Sequence, residues 1–161
     1  GYNIVVERAG RFLPDKAKEN DVPLKCWNRL QKGEIVELEG KTYTPDMVMG
    51  EERRGLKVTY CTDTRPVSVI AEKAKDADLF ICEGMYGDHE YDQKAREKKH
   101  MTISEACELA KAANPRKMWL THYSPAMVHP EQYIKEAREI FAKVKLGKDG
   151  KSVDLMFDED E

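Results

Sequence analysis

No C-x-x-C pair occurs among the four cysteines of this 161-residue chain, Cys26, Cys61, Cys82 and Cys107, which excludes zinc-ribbon and thioredoxin-type motifs. Spaced this way, they read as reduced, mostly buried small hydrophobes. No apolar run is long enough to span a bilayer. The chain opens on Gly1 without a charged-then-apolar leader, so neither a membrane anchor nor a secretory signal is expected, and the compartment reads as cytoplasmic. Net positive charge is also missing: a formal charge of -3 and a pI near 5.9 argue against a protein that coats nucleic acid with its whole surface. A local patch is still compatible with that balance. Lys25, Arg29 and Lys32 cluster around Trp27, Arg53, Arg54 and Lys57 follow, and the acidic Asp158-Glu159-Asp160-Glu161 closes the chain, where it is expected to be frayed and solvated. Repeats and low-complexity tracts are absent, and 40% hydrophobic with 35% charged residues is an ordinary balance for one globular domain.

What is present from Lys57 onward is a strand, loop and helix pattern, repeated. Val58–Cys61, Leu79–Cys82 and Met118–Thr121 read as strands, the second apolar throughout as befits a strand covered on both faces. A helix is expected from Pro66 with Val67, Ile70, Ala71 and Ala74 on one face. Asp88–Lys98 predicts a short exposed helix. Thr102 with Glu105 forms a capping box that starts a further helix immediately after His100, and Pro130 opens another with Tyr133, Ala137, Ile140 and Phe141 inward. Ser152–Phe157 is expected to close the sheet after the Asp149-Gly150 turn. Residues 1–56 differ: a strand over Tyr2–Glu7, short helices at Pro14–Lys18 and Leu24–Gln31, and a strand Glu34–Leu38 ending at Gly40 allow only small cores.

Four ionisable groups fall where apolar runs stop: Asp63 in Cys61-Thr62-Asp63-Thr64-Arg65-Pro66, Glu83 in Cys82-Glu83-Gly84-Met85, His100 before the capping box, and His122 in Leu120-Thr121-His122-Tyr123-Ser124-Pro125. The carboxyl ends of strands are where open α/β sheets place their chemistry. Alone, Asp63 is more simply a cap or dipole partner of the helix after it. With His122 on a neighbouring strand end, the pair becomes a carboxylate and an imidazole suited to zinc. Glu83 reads either as a salt-bridge partner for Arg96 or Lys98 or as the carboxylate that orients His100 as a proton donor. His100 is otherwise a surface histidine after Lys98 and Lys99. His89 and His129 lack such context and read as surface residues, and Trp27 reads as a small-core anchor more than a base-stacking platform.

The ordered series D-T-R-P, a loop glutamate after a buried strand, a histidine before a Thr-capped helix, and L-T-H-Y-S-P resembles the C-terminal half of ribonuclease Z, the tRNA 3′-processing endonuclease of the metallo-β-lactamase fold. Each string is weak singly; their order and loop placement are specific, and the resemblance runs over nearly the whole chain. The family's H-x-H-x-D-H run occurs nowhere in the 161 residues. The resemblance therefore implies an α/β chain forming the C-terminal half of an αββα sandwich over residues 57–161, with its N-terminal half missing. Residues 1–56 would supply a strand plus an arm-like segment that grips tRNA, matched by Gly10-Arg11-Phe12 and Arg29-Leu30-Gln31-Lys32-Gly33, with Lys25-Cys26 where many members carry Gly-Pro.

By the same resemblance, the intact protein is a zinc-dependent endoribonuclease that hydrolyses precursor tRNA to remove its 3′ trailer, binds two zinc ions and forms a homodimer. Asp63 and His122 are then metal ligands, Glu83 and His100 the catalytic pair, and Lys25, Arg29 and Lys32 tRNA contacts. Two departures from the family pattern stand at the catalytic loops: Cys82 precedes Glu83 where the family has His, and Met101 follows His100 where it has Ser. The competing readings are another phosphodiesterase of the same fold, which would not need the basic segment from Lys25 to Lys32, and a non-catalytic fragment or binding module.

Overall fold

The computed structural model describes residues 1–158, so Glu159, Asp160 and Glu161 of the expected frayed tail lie outside the described residues. In chain order the elements are β1 (Tyr2–Arg8), α1 (Pro14–Glu19), α2 (Leu24–Gln31), β2 (Val36–Leu38), β3 (Lys41–Tyr43), β4 (Arg53–Cys61), α3 (Ser68–Ala74), β5 (Leu79–Glu83), α4 (Asp92–Lys98), α5 (Ile103–Ala113), β6 (Met118–Thr121), α6 (Ile134–Ile140) and β7 (Val144–Leu146). They divide into two compact units, one of Gly1–Val6 with Leu56–Met156, the other of Glu7–Gly55 with the chain from Phe157 on. Strand β1 belongs to the sheet, whereas the sequence grouped it with the residues up to 56. Its side chains are exposed almost throughout, as in an edge strand.

The larger unit holds a five-stranded sheet in the order β1-β4-β5-β6-β7, and β4 to β7 are parallel neighbours in register. Parallel neighbours taken in chain order, joined by right-handed crossovers, put each connecting helix on the same face. That explains the packing. Ile70 and Ala74 of α3, Ala106, Cys107 and Ala110 of α5, and Ala137 of α6 form one core with Phe80, Cys82, Met118, Leu120 and Val144 of the strands. Small residues on the helices let them sit close to the sheet. Alternate side chains point the other way, where Val58, Ile81 and Trp119 are only half-buried and Tyr60 is 36% exposed. Phe80 lies under the helices and is fully buried.

Several boundaries differ from expectation, among them the helix expected from Pro130, which is a 3₁₀ turn over Pro130–Tyr133 before α6. Ser152–Phe157 is irregular, and the sheet is closed instead by β7, paired with β6 from Met118↔Val144 to Leu120↔Leu146. The helix expected from Pro66 begins at Ser68, because Arg65 and Pro66 are needed to carry the loop across to α5; Val67 is extended and 49% exposed. Asp88–Lys98 is a single 3₁₀ turn at His89–Tyr91 followed by α4. The capping box at α5 is present, Thr102 Oγ1 accepting from the Glu105 N–H at 3.1 Å and the Thr102 N–H donating to Glu105 Oε2 at 3.0 Å.

In the smaller unit, Ala17, Cys26, Leu30, Val36, Tyr43 and Val48 make a separate core, with Phe12 and Trp27 packed on it. Trp27 is an anchor: its indole N–H donates to the Val22 carbonyl at 2.9 Å and its ring lies 5.0 Å from that of Phe12. Strand β3, unforeseen, returns from β2 through Glu39 and Gly40, both at positive φ. At the chain's end, Asp158 is engaged by Arg8 and Arg54. All four cysteines are buried and unpaired, and no described helix is long and apolar enough to cross a membrane.

The two sheet faces differ in what they contribute to stability. Leu120→Ala, beneath the helices, is expected to cost about 2–5 kcal/mol. Tyr60→Ser on the opposite face is expected to cost less than about 1 kcal/mol, both read from urea unfolding midpoints. Equal costs would mean that both faces are packed.

Candidate metal centre

Register brings the polar strand ends together. Because Cys61 pairs with Cys82, Cys82 with Leu120 and Glu83 with Thr121, the residues just beyond, Asp63 and His122, share the carboxyl edge with Glu83. His100 arrives from the turn that ends α4, where Lys99 adopts a left-handed conformation and the His100 N–H caps the Ala95 carbonyl at 2.9 Å. The result is a cluster of Asp63, His100 and His122 whose ligand atoms lie within 4.8 Å of one another. His122 Nε2 is 3.5 Å from Asp63 Oδ1, His100 Nδ1 is 3.7 Å from the same oxygen, and the two imidazole rings are 5.4 Å apart. Asp63 and His122 both have positive φ, 51° and 57°. Left-handed backbone at non-glycine residues costs about 1–3 kcal/mol and gathers at functional sites. The same conformation occurs at Asp21, Glu39, Asp76, Lys99 and Asn114, but of these only Lys99 adjoins the cluster.

Behind the cluster sits Glu83, completely buried. Its carboxylate accepts from the Thr64 N–H at 2.6 Å, from the Met101 N–H at 3.3 Å and from His100 Nδ1 at 3.0 Å. Of the two readings open in the sequence, the structure places it against His100 rather than Arg96 or Lys98. A carboxylate only accepts, so Nδ1 carries the proton and Nε2 is left for a ligand or a substrate. Arg65 adds a second tie between the same loops, donating to the His100 carbonyl and pairing bidentately with Glu105 of the α5 capping box. Sequence reasoning missed Thr64 and Arg65, whose partners lie 19 and 40 residues away. Gly84 is set by packing: a Cβ there would sit 2.8 Å from Ile103 and 3.2 Å from Leu120.

Neighbouring groups are shifted in both directions, the Cys61 thiol downward through its hydrogen bond with Cys82. Burial pushes the Tyr123 phenol up to about 12, and its hydroxyl donates to the Leu120 carbonyl at 2.6 Å. The Cys61 thiol and burial push Cys82 well up, while burial takes Cys107 to about 12. Thr62 Oγ1 is buried beside Asp63 without a hydrogen-bond partner among the described residues. His89 and His129 are exposed, next to Asp92 and Glu131.

Residues 31–123 match the β-lactamase superfamily domain. The chain belongs to that superfamily. Two curated relatives are proteins named Ribonuclease Z: one from Lachnoclostridium phytofermentans, 55% identical over 161 residues, covering all of this chain and 53% of that protein, and one from Agathobacter rectalis, 54% identical over 160 residues, covering 99% and 53%. The resemblance read from the motifs thus extends along the entire chain, and the chain spans about half the length of the curated relatives it matches. Among solved structures it is similar to YhfI of Bacillus subtilis, a metallo-β-lactamase fold protein, with 28% identity and a TM-score of 0.52 over 58% of this chain and 37% of that one. In this superfamily chain, one carboxylate and two imidazoles on converging loops form a donor set that could hold a metal ion, and the fold implies metal use.

The positive φ at His122 has a measurable consequence. His122→Gly is expected to be about 1 kcal/mol more stable than His122→Ala in urea unfolding, since glycine adopts that backbone without strain. If alanine is the more stable of the two, the backbone is not strained there.

Proposed function

We propose that this chain is part of a zinc-dependent endoribonuclease that removes the 3′ trailer from precursor tRNA by phosphodiester hydrolysis. The observation that carries the reading is the convergence of Asp63, His100 and His122 in front of the buried Glu83, in a chain over half identical to proteins named Ribonuclease Z. Two zinc ions at this edge would supply Lewis-acid polarisation of the phosphoryl group and acidify water at neutral pH. Asp63, with two carboxylate oxygens, and His122 hold metal. His100, with Nδ1 directed at Glu83, presents Nε2 to the departing 3′ oxygen and delivers a proton there when doubly protonated, with Glu83 stabilising the charged ring. A second reading has direct support from the cluster geometry: His100 Nε2 is a third ligand, Glu83 being the carboxylate behind a metal-bound histidine.

The remaining ligands come from residues beyond this chain, the relatives being about twice as long. The isolated chain is then a weak zinc binder without nuclease activity, since Asp63 and His122 supply two protein ligands where a catalytic zinc usually has three. The protein works in the cytoplasm, as its unpaired cysteines suit, and as a homodimer. Residues 1–56 provide the strand and the arm, where Lys25, Arg29 and Lys32 contact tRNA phosphates. Lys25 and Arg29 are exposed and lie near Glu39 and Glu34, ion pairs weak enough for phosphate to displace. Residues 57–161 provide this half of the sandwich.

Metal content and cleavage of the full-length protein test the site together. Asp63→Ala and His122→Ala are expected to lose zinc and precursor-tRNA cleavage, whereas His100→Ala keeps zinc and slows cleavage by about 10²–10⁴-fold. Zinc loss in His100→Ala as large as in the other two assigns His100 as a ligand. Tight zinc binding with cleavage by the isolated chain would overturn the two-part site.

Neutralising Lys25, Arg29 and Lys32 tests the arm. Binding of tRNA should weaken, and the slope of log affinity against log salt should flatten by about 0.7–0.9 for each phosphate that is no longer neutralised. Cleavage of a small phosphodiester should be spared; if both substrates suffer alike, the segment is structural. Sedimentation over a concentration series checks the dimer, which a concentration-independent monomer would exclude.

A further inference from the structure

Beside the metal cluster lies a cavity of about 370 Å³ whose lining includes Tyr86, Tyr91, Tyr133, Lys94, Met127 and Gln132. None of these residues is used by the chemistry above. Two loops join the cavity to the cluster. Tyr86 follows Glu83 by three residues and meets the His100 ring edge-on, with centroids 6.5 Å apart. Ser124 follows His122 by two, and its N–H is bonded to the Met85 carbonyl at 2.9 Å, so the loops after β5 and β6 form a common wall. Tyr86 is pinned further by backbone bonds, the Ile103 N–H donating to the Tyr86 carbonyl at 2.8 Å.

The wall is aromatic and carries one cation. Tyr86 and Tyr91 are parallel within 7°, with centroids 6.4 Å apart, and Lys94 Nζ lies 5.2 Å from the Tyr86 ring centre. The Tyr133 ring rests on Gly87, where a Cβ would sit 2.3 Å from it, so glycine is required for that approach. The Tyr91 phenol lies against Tyr133 and holds its hydroxyl above the usual phenol range. Tyr91 is 38% exposed and lines the cavity, so its ring is accessible to a ligand there. Fixed aromatic rings with an adjacent ammonium suit a flat heteroaromatic group carrying a phosphate.

We propose that this cavity is a nucleobase subsite, holding the unpaired nucleotide next to the phosphodiester that is cut, with the base against Tyr91 and Tyr133 and a flanking phosphate on Lys94. The inference rests on the phosphodiesterase reading of the metal cluster. It names how single-stranded RNA is positioned there, apart from the arm.

The test uses the full-length protein, single-turnover cleavage of precursor tRNA, and substrates with an abasic nucleotide on either side of the cut. In the native protein, removing the base at one of those positions is expected to weaken binding by about ten-fold, the scale of one base–aromatic stack. In Tyr91→Leu the intact precursor should already show that loss, and base removal should add nothing; Tyr91→Phe, which keeps the ring, should restore the native dependence. Binding of a short single-stranded oligonucleotide, followed by anisotropy, gives a second readout independent of cleavage. If the native protein cleaves precursor but neither abasic position nor Tyr91→Leu alters its affinity, the subsite is wrong and the nuclease reading stands. If the native protein cleaves no RNA yet loses oligonucleotide affinity in Tyr91→Leu, the subsite stands and the nuclease reading falls. An abasic penalty equally large in Tyr91→Leu and the native protein would place the base elsewhere.

Discussion

The buried carboxylate of Glu83 is the interaction on which the rest of the site depends. A carboxyl group without exposure is tolerated only when its oxygens are occupied, and here they take two backbone N–H groups and an imidazole from two separate places in the chain. Thr64 belongs to the loop after β4, His100 and Met101 to the approach to α5, and Glu83 itself to β5. Satisfying one acid therefore fixes the relative position of two loops. Removing it would leave two backbone donors facing a hole, which is why its structural and chemical roles cannot be separated by a single truncation.

The core behind that acid holds two sulfurs in contact. Cys82 and Met101 are both fully buried, with their sulfurs 3.7 Å apart. Soft side chains of this kind fill the space beside Glu83 without competing for its hydrogen bonds to His100 and the Met101 N–H.

Much of this was legible in sequence where a local rule has a fixed register. Thr102 and Glu105 mark a helix start to the residue, and the apolar runs ending at Cys61, Cys82 and Thr121 place the polar loops on one edge. What escaped had weaker local signals. Strand β7 is three residues long and alternates, and Phe141 just before it serves equally well as the last inward residue of a helix. The return strand β3 hid behind Glu39-Gly40, a turn whose left-handed pair is ordinarily announced by Asn or Asp. The left-handed backbone at Asp63 and His122, and the ties from Glu83 to Thr64 and from Arg65 to Glu105, are products of long-range packing that no window of sequence contains.

The loop from Thr62 to Val67 is held at both ends, on one side by the pairing of Cys61 with Cys82 and on the other by the reach of Arg65 to Glu105. Its length is consequently not free to drift. One residue more or fewer would either shift the strand by a step, turning its buried side chains outward, or withdraw the guanidinium from the helix cap. The stretch from Pro125 to His129, half-buried to exposed, carries no comparable double anchor. Insertions and deletions among related chains should therefore accumulate in the second segment and be nearly absent from the first, a pattern of gaps set by two fastenings rather than by the chemistry they surround.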